Sequence, residues 1–371
     1  MNPSPDASRP RPVELTLLPL GTRPDDATGT SAGGGCGDSC GCGAGAEDGL
    51  PAGHDPLECG LDPELAALLA ASGLDPVLVE DIAHLALEED LDHGVDITTV
   101  ATVPEDAVAT ADFTARRPGT VAGLRVAEAV LSVACTDELE VERHAEDGDR
   151  VSAGQVLLSV TGRTRDLLTG ERSALNLLCR LSGIATATRA WADALEGTAT
   201  RVRDTRKTTP GLRALEKYAV RCGGGLNHRM SLSDAALIKD NHVIAAGGVA
   251  EAFAAVRAAL EEAGSPGLPI EVEVDRVDQI EPALAAGAGA LLLDNFTVED
   301  THRAVELVAG RAALESSGGL VLDNARAYAE TGVDYLAVGA LTHSAPVLDI
   351  GLDLRPGPAT AGGGRQRQED V

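Results

Sequence analysis

The sequence predicts an α/β protein, with a small N-terminal α/β sandwich-like domain followed by a C-terminal β/α barrel. From about residue 169 onward, short apolar runs alternate with helical stretches, and the runs repeat on average about every 20–30 residues. This alternation is typical of parallel strands. Most runs end in a charged residue or in glycine, as barrel strands do at the face that carries the active site. An open, doubly wound sheet is the alternative, because only about six strands can be counted.

The chain divides into segments of different composition. The first 60 residues are rich in Gly, Pro, Ala and Asp, and such a segment buries too little apolar surface to fold. The segment after the barrel is expected to pack back on the N-terminal domain. The predicted segments are a disordered extension over 1–60, the N-terminal domain over 61–168, the barrel over 169–344, the returning segment over 345–355 and a disordered tail over 356–371.

The N-terminal domain begins with two predicted helices. The stretches PELAALLAASG and PVLVEDIAHLALEEDL have apolar residues at helical spacing and proline at each start. Alternating runs separated by glycine-rich turns follow, in ATADFTARRPGTVAGL and DELEVERHAEDGDRVSAGQVLLSVTG. This pattern predicts a small sheet.

The barrel begins with a long helix, TGERSALNLLCRLSGIATATRAWADAL, in which Leu175, Leu178, Leu181 and Trp191 are the candidates for the buried face. The six strand candidates that follow are TRVRDTRK, AALIKDNH, IEVEVD, ALLLDN, GLVLDN and YLAVGAL.

Composition excludes several classes of function. The formal net charge is −28 and aromatic residues make up 2% of the chain, so neither a nucleic-acid backbone nor an anionic membrane is an expected partner. No apolar run approaches the roughly 20 residues of a membrane span. The N-terminus lacks a signal-peptide pattern, and seven cysteines are an odd number, so a reducing cytoplasmic location is expected. Cys36, Cys40 and Cys42, with Cys59 or His54, could ligate zinc, but they form no C-x-x-C pair, and a low-complexity tail is the default interpretation.

The distribution of lysine is unusual. The only three lysines in the chain, Lys207, Lys217 and Lys239, lie within one window of an otherwise acidic protein. A cationic cluster in an acidic protein favours a pocket for a small anion, and a salt-bridged surface helix is the alternative. Lys217 lies in the helical stretch LRALEKYAV, where a structural ion pair is the preferred interpretation.

The polar strand ends converge on one edge of the predicted barrel. Arginine forks there can clamp carboxylates, ammonium groups can hold phosphate oxygens, and carboxylates can bind ribose hydroxyls or Mg²⁺. Glycine-rich loops near the last strands are typical phosphate sites. Taken singly, Asp294 could be a helix cap, and Glu271 and Glu273 the polar face of a strand. The converging groups are Arg206, Lys207, His228, Arg229, Lys239, Glu273 and Asp294, with the loops ESSGGL and AVGAL.

These motifs resemble those of the quinolinate phosphoribosyltransferase family. The resemblance is carried by ERSALNLLCRLSGIAT, DTRKTTPGLRALEKYAVRCGGGLNHRMSLSDAALIKDNH, IEVEVD, LLLDNF, SSGG and VGALTHSAPVLDIGLDL, and by EEDLDHGVDITT and RRPGTVAGL in the N-terminal domain. It runs from about Leu61 to Leu354. Ser231 and Ser233 stand where the family commonly has Gly and Tyr.

The resemblance implies an activity and a fold. The activity is transfer of the phosphoribosyl group of phosphoribosyl diphosphate to quinolinate, with decarboxylation, as a step of NAD biosynthesis. It also implies a type II phosphoribosyltransferase barrel, Mg²⁺ bound with the phosphoribosyl diphosphate, no organic cofactor, and a homodimer or larger homo-oligomer with shared active sites.

Roles for individual residues are implied in the same way. Arg172, Thr205, Arg206, His228 and Arg229 would bind quinolinate, with Arg172 serving the site of a partner subunit. Lys207 and Lys239 would contact the phosphoribosyl diphosphate, and Glu273 and Asp294 would face its ribose and the Mg²⁺–diphosphate. Ser317, Gly318, Gly319, Val338, Gly339 and Ala340 would hold the 5′-phosphate.

Three alternatives stay open from the residues alone. A phosphoribosyltransferase for another aromatic acid such as nicotinate would share most of the site. A Schiff-base lyase would use Lys239, which ends an apolar strand, as its nucleophile. A non-catalytic binding protein could keep the same barrel.

Overall fold

The computed structural model describes residues 59–356, with the exception of His93, Thr136 and Glu138. The predicted extension over 1–60 and the predicted tail over 356–371 therefore lie outside the described residues, apart from Cys59, Gly60 and Pro356. The zinc hypothesis for Cys36, Cys40 and Cys42 falls outside them as well.

Three helices open the described chain, and an aspartate caps each of them. The carboxylates of Asp62, Asp75 and Asp96 accept hydrogen bonds from backbone N–H groups of the first turn. Such a cap contributes about 1 kcal/mol to helix stability. The first two helices begin at the prolines from which the sequence predicted them, which confirms both. The helices are α1 (Pro63–Ala71), α2 (Pro76–Leu91) and α3 (Ile97–Thr102).

The N-terminal sheet has four strands and is completed by the end of the chain. Its order is β12-β1-β5-β3, and every neighbouring pair is antiparallel. The last strand therefore returns across the whole barrel to pair with the first, with Ala115 opposite Ile350. The strands are β1 (Val108–Ala115), β3 (Glu140–Arg143), β5 (Val156–Arg163) and β12 (Ile350–Pro356); β2 (Gly119–Thr120) and β4 (Arg150–Val151) form a separate ribbon, and α4 (Leu124–Ala134) lies between the two.

A single long helix, α5 (Thr164–Ala194), connects the two parts of the molecule. Leu175, Leu178, Leu181 and Trp191 are all buried, which confirms the predicted apolar face. The returning segment passes close to this helix at Gly183, where a Cβ atom would lie 2.1 Å from the carbonyl oxygen of Pro346. Only glycine allows that approach, so the last strand can reach the N-terminal sheet.

The second sheet is parallel and has six strands in the order β6-β11-β10-β9-β8-β7. Helices follow the strands along the chain, as predicted. The strands are β6 (Arg201–Arg203), β7 (Ala236–Ile238), β8 (Ile270–Val274), β9 (Ala290–Asp294), β10 (Ala313–Ser317) and β11 (Tyr335–Ala337). The helices are α6 (Arg213–Cys222), α7 (Asp240–Ala246), α8 (Val249–Glu262), α9 (Ile280–Ala286), α10 (Val298–Val308), α11 (Leu322–Ala329) and α12 (Ala340–His343), with a 3₁₀ turn at Val277–Gln279.

The two faces of this sheet differ in polarity, because side chains alternate along a strand. Apolar residues such as Val272, Val274 and Leu293 are almost completely buried. Glu271 and Glu273 occupy the intervening positions of the same strand and point to the opposite face. The second face is therefore polar, and it carries the candidate site.

The sheet curls toward its polar face. Arg203 on β6 reaches Glu315 on β10, although β11 lies between the two strands. The ring of His228 approaches both Glu271 on β8 and Glu315 on β10, with β9 between them. Since β6 and β7 are the two ends of the strand order, the described residues form a β/α barrel that is open between them. This agrees with the predicted fold class.

One strand prediction was wrong. The run GLVLDN was predicted to be a strand, but it forms a loop and the start of α11. The strand of this unit is β10, Ala313–Ser317, which lies just before it. Val321 and Leu322 are 55% and 44% exposed, so this apolar run does not correspond to a buried strand.

Among the residues that the structure describes, no single helix is long and apolar enough to cross a membrane. Only α7 and α8 taken together reach that length and composition, and the chain bends by 90° between them.

Candidate active site

The ends of four parallel strands stand level at one edge of the sheet. Arg203, Ala337, Ser317 and Asp294 are successive register partners from β6 to β9. The residues that follow these strands therefore meet at the carboxyl edge. Thr205, Arg206 and Lys207 follow β6, Lys239 follows β7, Glu273 lies in β8, and the segments 317–319 and 338–340 end or follow β10 and β11.

Arg206 and Arg229 are neighbours in this edge and carry the same charge. The Arg206 Nε atom is buried and has no hydrogen-bond partner, whereas Arg229 is 9% exposed and donates from Nη1 to the carbonyl oxygen of Ala235 at 2.9 Å. Neither guanidinium is ion-paired within the described part of the chain. Burial, followed by repulsion from Arg206, lowers the pKa of Arg229. Two close guanidinium groups without an ion-pair partner among the described residues can bind an anion from outside the chain.

A turn holds the backbone on the far side of Arg229. The Asp234 carboxylate accepts hydrogen bonds from the N–H groups of Met230 at 2.6 Å and Ser231 at 3.0 Å, and the hydroxyls of Ser231 and Ser233 lie 2.9 Å apart. Both serines, which depart from the family pattern, therefore support this turn with their side chains. The turn keeps Ala235 within reach of Arg229.

A buried polar network lies beneath the two arginines. The Lys217 Nζ atom and the Asp204 Oδ1 atom are 2.5 Å apart, and both side chains are completely buried. Lys217 also donates to the carbonyl oxygen of His228 at 2.8 Å, and Asp204 accepts from the N–H of His228 at 2.8 Å. Asn227 donates from Nδ2 to Asp204 at 2.5 Å. The structure thus confirms a structural ion pair for Lys217.

Both ring nitrogens of His228 face groups of the protein. Its Nδ1 atom accepts from the N–H of Arg229 at 2.7 Å, so Nε2 carries the proton of the neutral ring. That Nε2 lies 3.0 Å from Glu271 and 3.4 Å from Glu315. Burial lowers the pKa of the imidazole, which favours the neutral form of the ring. The predicted contact of His228 with a substrate carboxylate stays a prediction.

Two buried carboxyl groups share this part of the barrel. Burial, and then the neighbouring Glu271, raises the pKa of Glu315 to about 7, and burial also raises the pKa of Glu271. Arg203 donates to Glu315 from Nη1 at 2.6 Å. The ligand atoms of His228, Glu271 and Glu315 lie within 4.8 Å of one another. With Arg203 already in place, one proton neutralises the two carboxylates, so we interpret the group as a proton-sharing cluster and not as a metal site.

The cluster also contains three residues for which the sequence motifs predict no site role, namely Arg203, Glu271 and Glu315. The available signal was a charged side chain inside an apolar strand, as in IEVEVD and ALESS. The alternative interpretation of Glu271 and Glu273, that they form the polar face of a strand, agrees with their position in β8, but that face lies inside the barrel.

Lys239 and Glu273 form an ion pair at the mouth of the barrel, between their Nζ and Oε2 atoms. The lysine side chain is 45% exposed and the glutamate 13%. Asp294 ends the next strand and accepts from the Asn295 Nδ2 atom at 3.0 Å. Glu273 and Asp294 thus place carboxylate oxygens on neighbouring strands, and the lysine faces the same opening.

The glycine-rich loops place backbone that is not covered by side chains at this edge. Gly318 and Gly319 have φ angles of +88° and +63°, in the left-handed region that favours glycine. A Cβ atom on Gly318 would lie 2.2 Å from the Asn295 Oδ1 atom. At Gly339, a Cβ atom would lie 2.9 Å from the Lys207 Cδ atom. Lys207 therefore lies against the loop Val338–Ala340, and both loops can present N–H groups to an anion.

Arg172 stands apart from this cluster. It is exposed on α5, on the same side as Cys179, whose thiol donates to the carbonyl oxygen of Ile350 in β12. None of the contacts described for the site involves Arg172 within the described residues. It lies on α5 and not on a strand or on a loop that follows a strand of the parallel sheet, and its predicted role stays a prediction.

Two family models match the chain. The model described as "Quinolinate phosphoribosyl transferase, C-terminal domain" matches residues 184–353, and the corresponding N-terminal domain model matches residues 96–182. Together they cover both the antiparallel domain and the barrel.

The chain aligns with nearly the full length of two relatives of similar sequence. The nicotinate-nucleotide pyrophosphorylase [carboxylating] of Mycobacterium leprae is 56% identical over 278 residues, which are 74% of this chain and 96% of the relative. A probable enzyme of the same name from Bacillus subtilis is 38% identical over 277 residues, 73% of this chain and 94% of that relative.

Solved structures agree with the fold. NadC from Streptococcus pyogenes superposes with a TM-score of 0.72 at 40% identity, covering 77% of this chain and 99% of that one. The nicotinate-nucleotide pyrophosphorylase from Francisella tularensis superposes with a TM-score of 0.71 at 36% identity, covering 75% and 96%.

Proposed function

The chain belongs to the quinolinate phosphoribosyltransferase family, and we infer that it is a carboxylating nicotinate-nucleotide pyrophosphorylase. It transfers the phosphoribosyl group of phosphoribosyl diphosphate to quinolinate. The products are nicotinate mononucleotide, diphosphate and CO₂. This is a pentosyl transfer in NAD biosynthesis.

The observation that carries the substrate assignment is the pair Arg206 and Arg229. Arg229 is buried and Arg206 is half-buried, and two adjacent guanidinium groups without an ion-pair partner among the described residues suit a dianion. Guanidinium groups bind planar carboxylates in a bidentate manner. Quinolinate has two adjacent carboxylates, so it satisfies both arginines, whereas nicotinate would leave one of them without a partner at a free-energy cost.

The phosphoribosyl diphosphate lies, in this proposal, across the other half of the edge. The backbone of Ser317–Gly319 and of Val338–Ala340 would hold the 5′-phosphate. Lys207 and Lys239 would bind the diphosphate, Lys207 from its place against Gly339 and Lys239 from the mouth. The sugar carbon C1′ is thereby placed between the diphosphate and the pyridine nitrogen.

The chemistry requires no covalent nucleophile from the protein. The lone pair of the pyridine nitrogen forms a bond to C1′, and the electrons of the C1′–O bond leave with diphosphate. Holding the two reactants in line supplies up to about 7–11 kcal/mol of the barrier reduction in favourable cases. The two lysines stabilise the charge that develops on the departing diphosphate.

Decarboxylation follows from the same bond. Once the ring nitrogen is ribosylated, the pyridinium ring accepts the electron pair of the neighbouring C–CO₂ bond, CO₂ leaves, and a proton takes its place on carbon. Arg206 and Arg229 keep the dicarboxylate oriented during both steps.

The residues present also fit a Mg²⁺ ion bound with the diphosphate. Glu273 and Asp294 are oxygen donors on adjacent strands at the mouth, and Mg²⁺ prefers such ligands, alone or shared with phosphate oxygens. These two residues would hold the ion, which would neutralise charge on the leaving group. Glu273 would have to release Lys239 in part, which frees that ammonium group for the diphosphate.

The lyase alternative is not supported. A Schiff-base lysine is activated by an apolar pocket or by another cation, whereas Lys239 is about half exposed and paired with a carboxylate. The curated relatives are instead named as carboxylating pyrophosphorylases.

We also propose that two subunits share each active site. Arg172 is exposed and makes none of the contacts described for the site, and large apolar side chains are exposed both beside the barrel mouth and on the N-terminal domain. Burial of such surface favours association. The exposed residues are Leu232, Ile244, Val321 and Leu322 near the mouth, and Leu85, Val95 and Ile97 on the N-terminal domain.

Mixed dimers test this sharing. Arg172→Ala and Lys239→Ala should each be inactive alone. If the sites are shared, each mixed dimer has one intact site out of two. Half of the dimers in an equal mixture of refolded or exchanged subunits are mixed, so the mixture should regain up to about a quarter of the activity of the unmodified chain. A mixture that stays inactive while forming dimers contradicts the arrangement.

A cytoplasmic location is part of the proposal. Cys59, Cys135, Cys179 and Cys222 are free thiols, as is usual for a reducing compartment.

The experiment that tests the function measures diphosphate and CO₂ release from quinolinate, phosphoribosyl diphosphate and Mg²⁺, with nicotinate in parallel. Release of both products with quinolinate alone is the expected result. Turnover of nicotinate in place of quinolinate would contradict it.

A further inference from the structure

Asp204 and Lys217 lie close to Arg206 and Arg229, but neither side chain is accessible from the candidate substrate site. Asp204 precedes Arg206 by two residues at the end of β6. Lys217 lies on α6, and its ammonium group reaches the residue directly before Arg229. Both side chains are completely buried, so neither can contact a substrate.

We propose that Asp204 and Lys217 are positioning residues for the dicarboxylate substrate: together they hold the backbone of His228 at the end of β6 and so set the spacing between Arg206 and Arg229. The proposal rests on the proposed function of the two arginines and deepens it. It concerns the spacing of the site, which substrate contacts alone do not determine.

The first support is that the two peptide units on either side of the His228 Cα atom are each held by one side chain of the pair. The carboxylate of Asp204 accepts from the N–H of His228 at 2.8 Å, and the ammonium group of Lys217 donates to the carbonyl oxygen of the same residue at 2.8 Å. The carbonyl of His228 belongs to the peptide bond that carries the N–H of Arg229. Arg229 is thereby tied to β6 through two side chains that also bind each other.

The second support is a further tie from the same loop. Asn227 donates from Nδ2 to Asp204 at 2.5 Å and to the carbonyl oxygen of Lys217 at 2.8 Å. Backbone hydrogen bonds from Leu226 to Val202 at 2.9 Å and from Asp204 to Leu226 at 3.1 Å extend the contact. The loop before Arg229 is thus attached to β6 and to α6 at several consecutive residues.

The third support is electrostatic. Burial raises the pKa of Asp204 and lowers the pKa of Lys217, so desolvation acts against the charged form of each partner. A buried ion pair of this kind adds little net stability compared with apolar residues of the same size. Its hydrogen bonds have a defined geometry, however, and defined geometry is what two arginines around one small dianion require.

The test compares single and double variants of the pair. Lys217→Met removes the bond to His228 and leaves Asp204 without its partner. The double variant Asp204→Asn/Lys217→Met removes both charges, keeps the shape and avoids an unpaired buried carboxylate. Glu128→Gln is the matched control, because Glu128 is also buried and ion-paired, with Arg143, but lies in the N-terminal domain.

The readout is KM for each substrate, measured where at least nine-tenths of each variant is folded. Both Lys217→Met and the double variant should raise KM for quinolinate about 10- to 100-fold and change KM for phosphoribosyl diphosphate by less than about twofold. The preference for quinolinate over nicotinate in equilibrium binding should fall by a similar factor. Glu128→Gln should leave both KM values unchanged.

Two results would overturn the proposal. One is an equal change in KM for quinolinate and in KM for phosphoribosyl diphosphate. The other is a decrease in kcat alone that is proportional to the unfolded fraction of each variant. If Lys217→Met does not fold, Asn227→Ser loosens the same loop more mildly and should raise only KM for quinolinate, by about threefold to tenfold. Failure of the function itself is separate, since the unmodified enzyme would then release no diphosphate and CO₂ from quinolinate.

Discussion

Arg203 and Glu315 form an ion pair inside the barrel, with 2.6 Å between the Arg203 Nη1 atom and the Glu315 Oε2 atom. The guanidinium group also lies over the ring of Tyr335, with 4.5 Å from its carbon to the ring centroid. The arginine therefore neutralises a region that also contains Glu271. The interior of this barrel is held together by charge as well as by apolar packing.

Arg203→Met should destabilise the protein strongly. It leaves Glu315 and Glu271 buried without their cation, and breaking a buried pair in this way costs about 3–5 kcal/mol. The free energy of unfolding from urea titration measures the loss. Arg116→Met is the control, because Arg116 pairs with Asp353 at the surface, where solvent screens the pair, and it should leave the free energy of unfolding nearly unchanged. Equal effects of the two changes would contradict a special role for the interior pair.

The stability of the protein should fall as pH rises toward neutrality, because the Glu315 carboxyl group loses its proton. Burial raises the pKa of this carboxyl to about 7 in the folded protein, compared with the ordinary value of 4.5 for a glutamate side chain. Between these values the folded state binds more protons than the unfolded state, so the free energy of unfolding decreases with rising pH. Glu315→Gln should flatten this part of the profile, measured by urea unfolding from pH 4.5 to 8. An unchanged slope would show that another group causes it.

Arg206→Lys should impair quinolinate binding although it conserves the charge. The ammonium group is a point charge and cannot reproduce the planar fork that binds a carboxylate at two positions. KM for quinolinate should rise about 10- to 100-fold, with little change in KM for phosphoribosyl diphosphate. Arg257→Lys, on α8, is a control that should behave as the unmodified enzyme. A rise in both KM values would contradict the assignment of Arg206 to the dicarboxylate.

Lys239→Ala should reduce turnover far more than stability. The lysine is about half exposed, and its pair with Glu273 is expected to contribute less than about 1 kcal/mol to folding. As a cation at the departing diphosphate, it should affect kcat by about 100- to 1000-fold. Steady-state kinetics and thermal unfolding together distinguish the two effects. Arg276→Ala removes another exposed ion-paired cation and should leave kcat unchanged.

Gly318→Ala should distort the candidate phosphate loop. The new Cβ atom would lie 2.2 Å from the Asn295 Oδ1 atom, and the φ angle of +88° strains any side chain. KM for phosphoribosyl diphosphate should rise, while KM for quinolinate stays within about twofold. Gly310→Ala is the control, because its φ angle is +77° but no atom lies within 4 Å of the added Cβ. If both variants raise the same KM value equally, backbone strain and not the loop is responsible.

Strand and helix alternation was predictable because each element has its own local period. IEVEVD alternates apolar and charged residues, and the structure places Val272 and Val274 against the helices and both glutamates inside the barrel. The same local reasoning failed for GLVLDN, where an apolar run of strand-like composition is exposed at the start of α11. Local composition does not tell which apolar residues are covered by the rest of the fold.

The kind of chemistry is predictable from the amino-acid sequence, because charged residues at the ends of parallel strands must meet at one edge wherever the strands pair. Which of these charges neutralise each other depends on the three-dimensional fold. Arg203 and Glu315 are separated by 112 residues, and His228 approaches Glu271 and Glu315 on strands that are not neighbours. These groups meet because the open sheet curls, and the curl results from packing along the whole barrel, which no local pattern encodes.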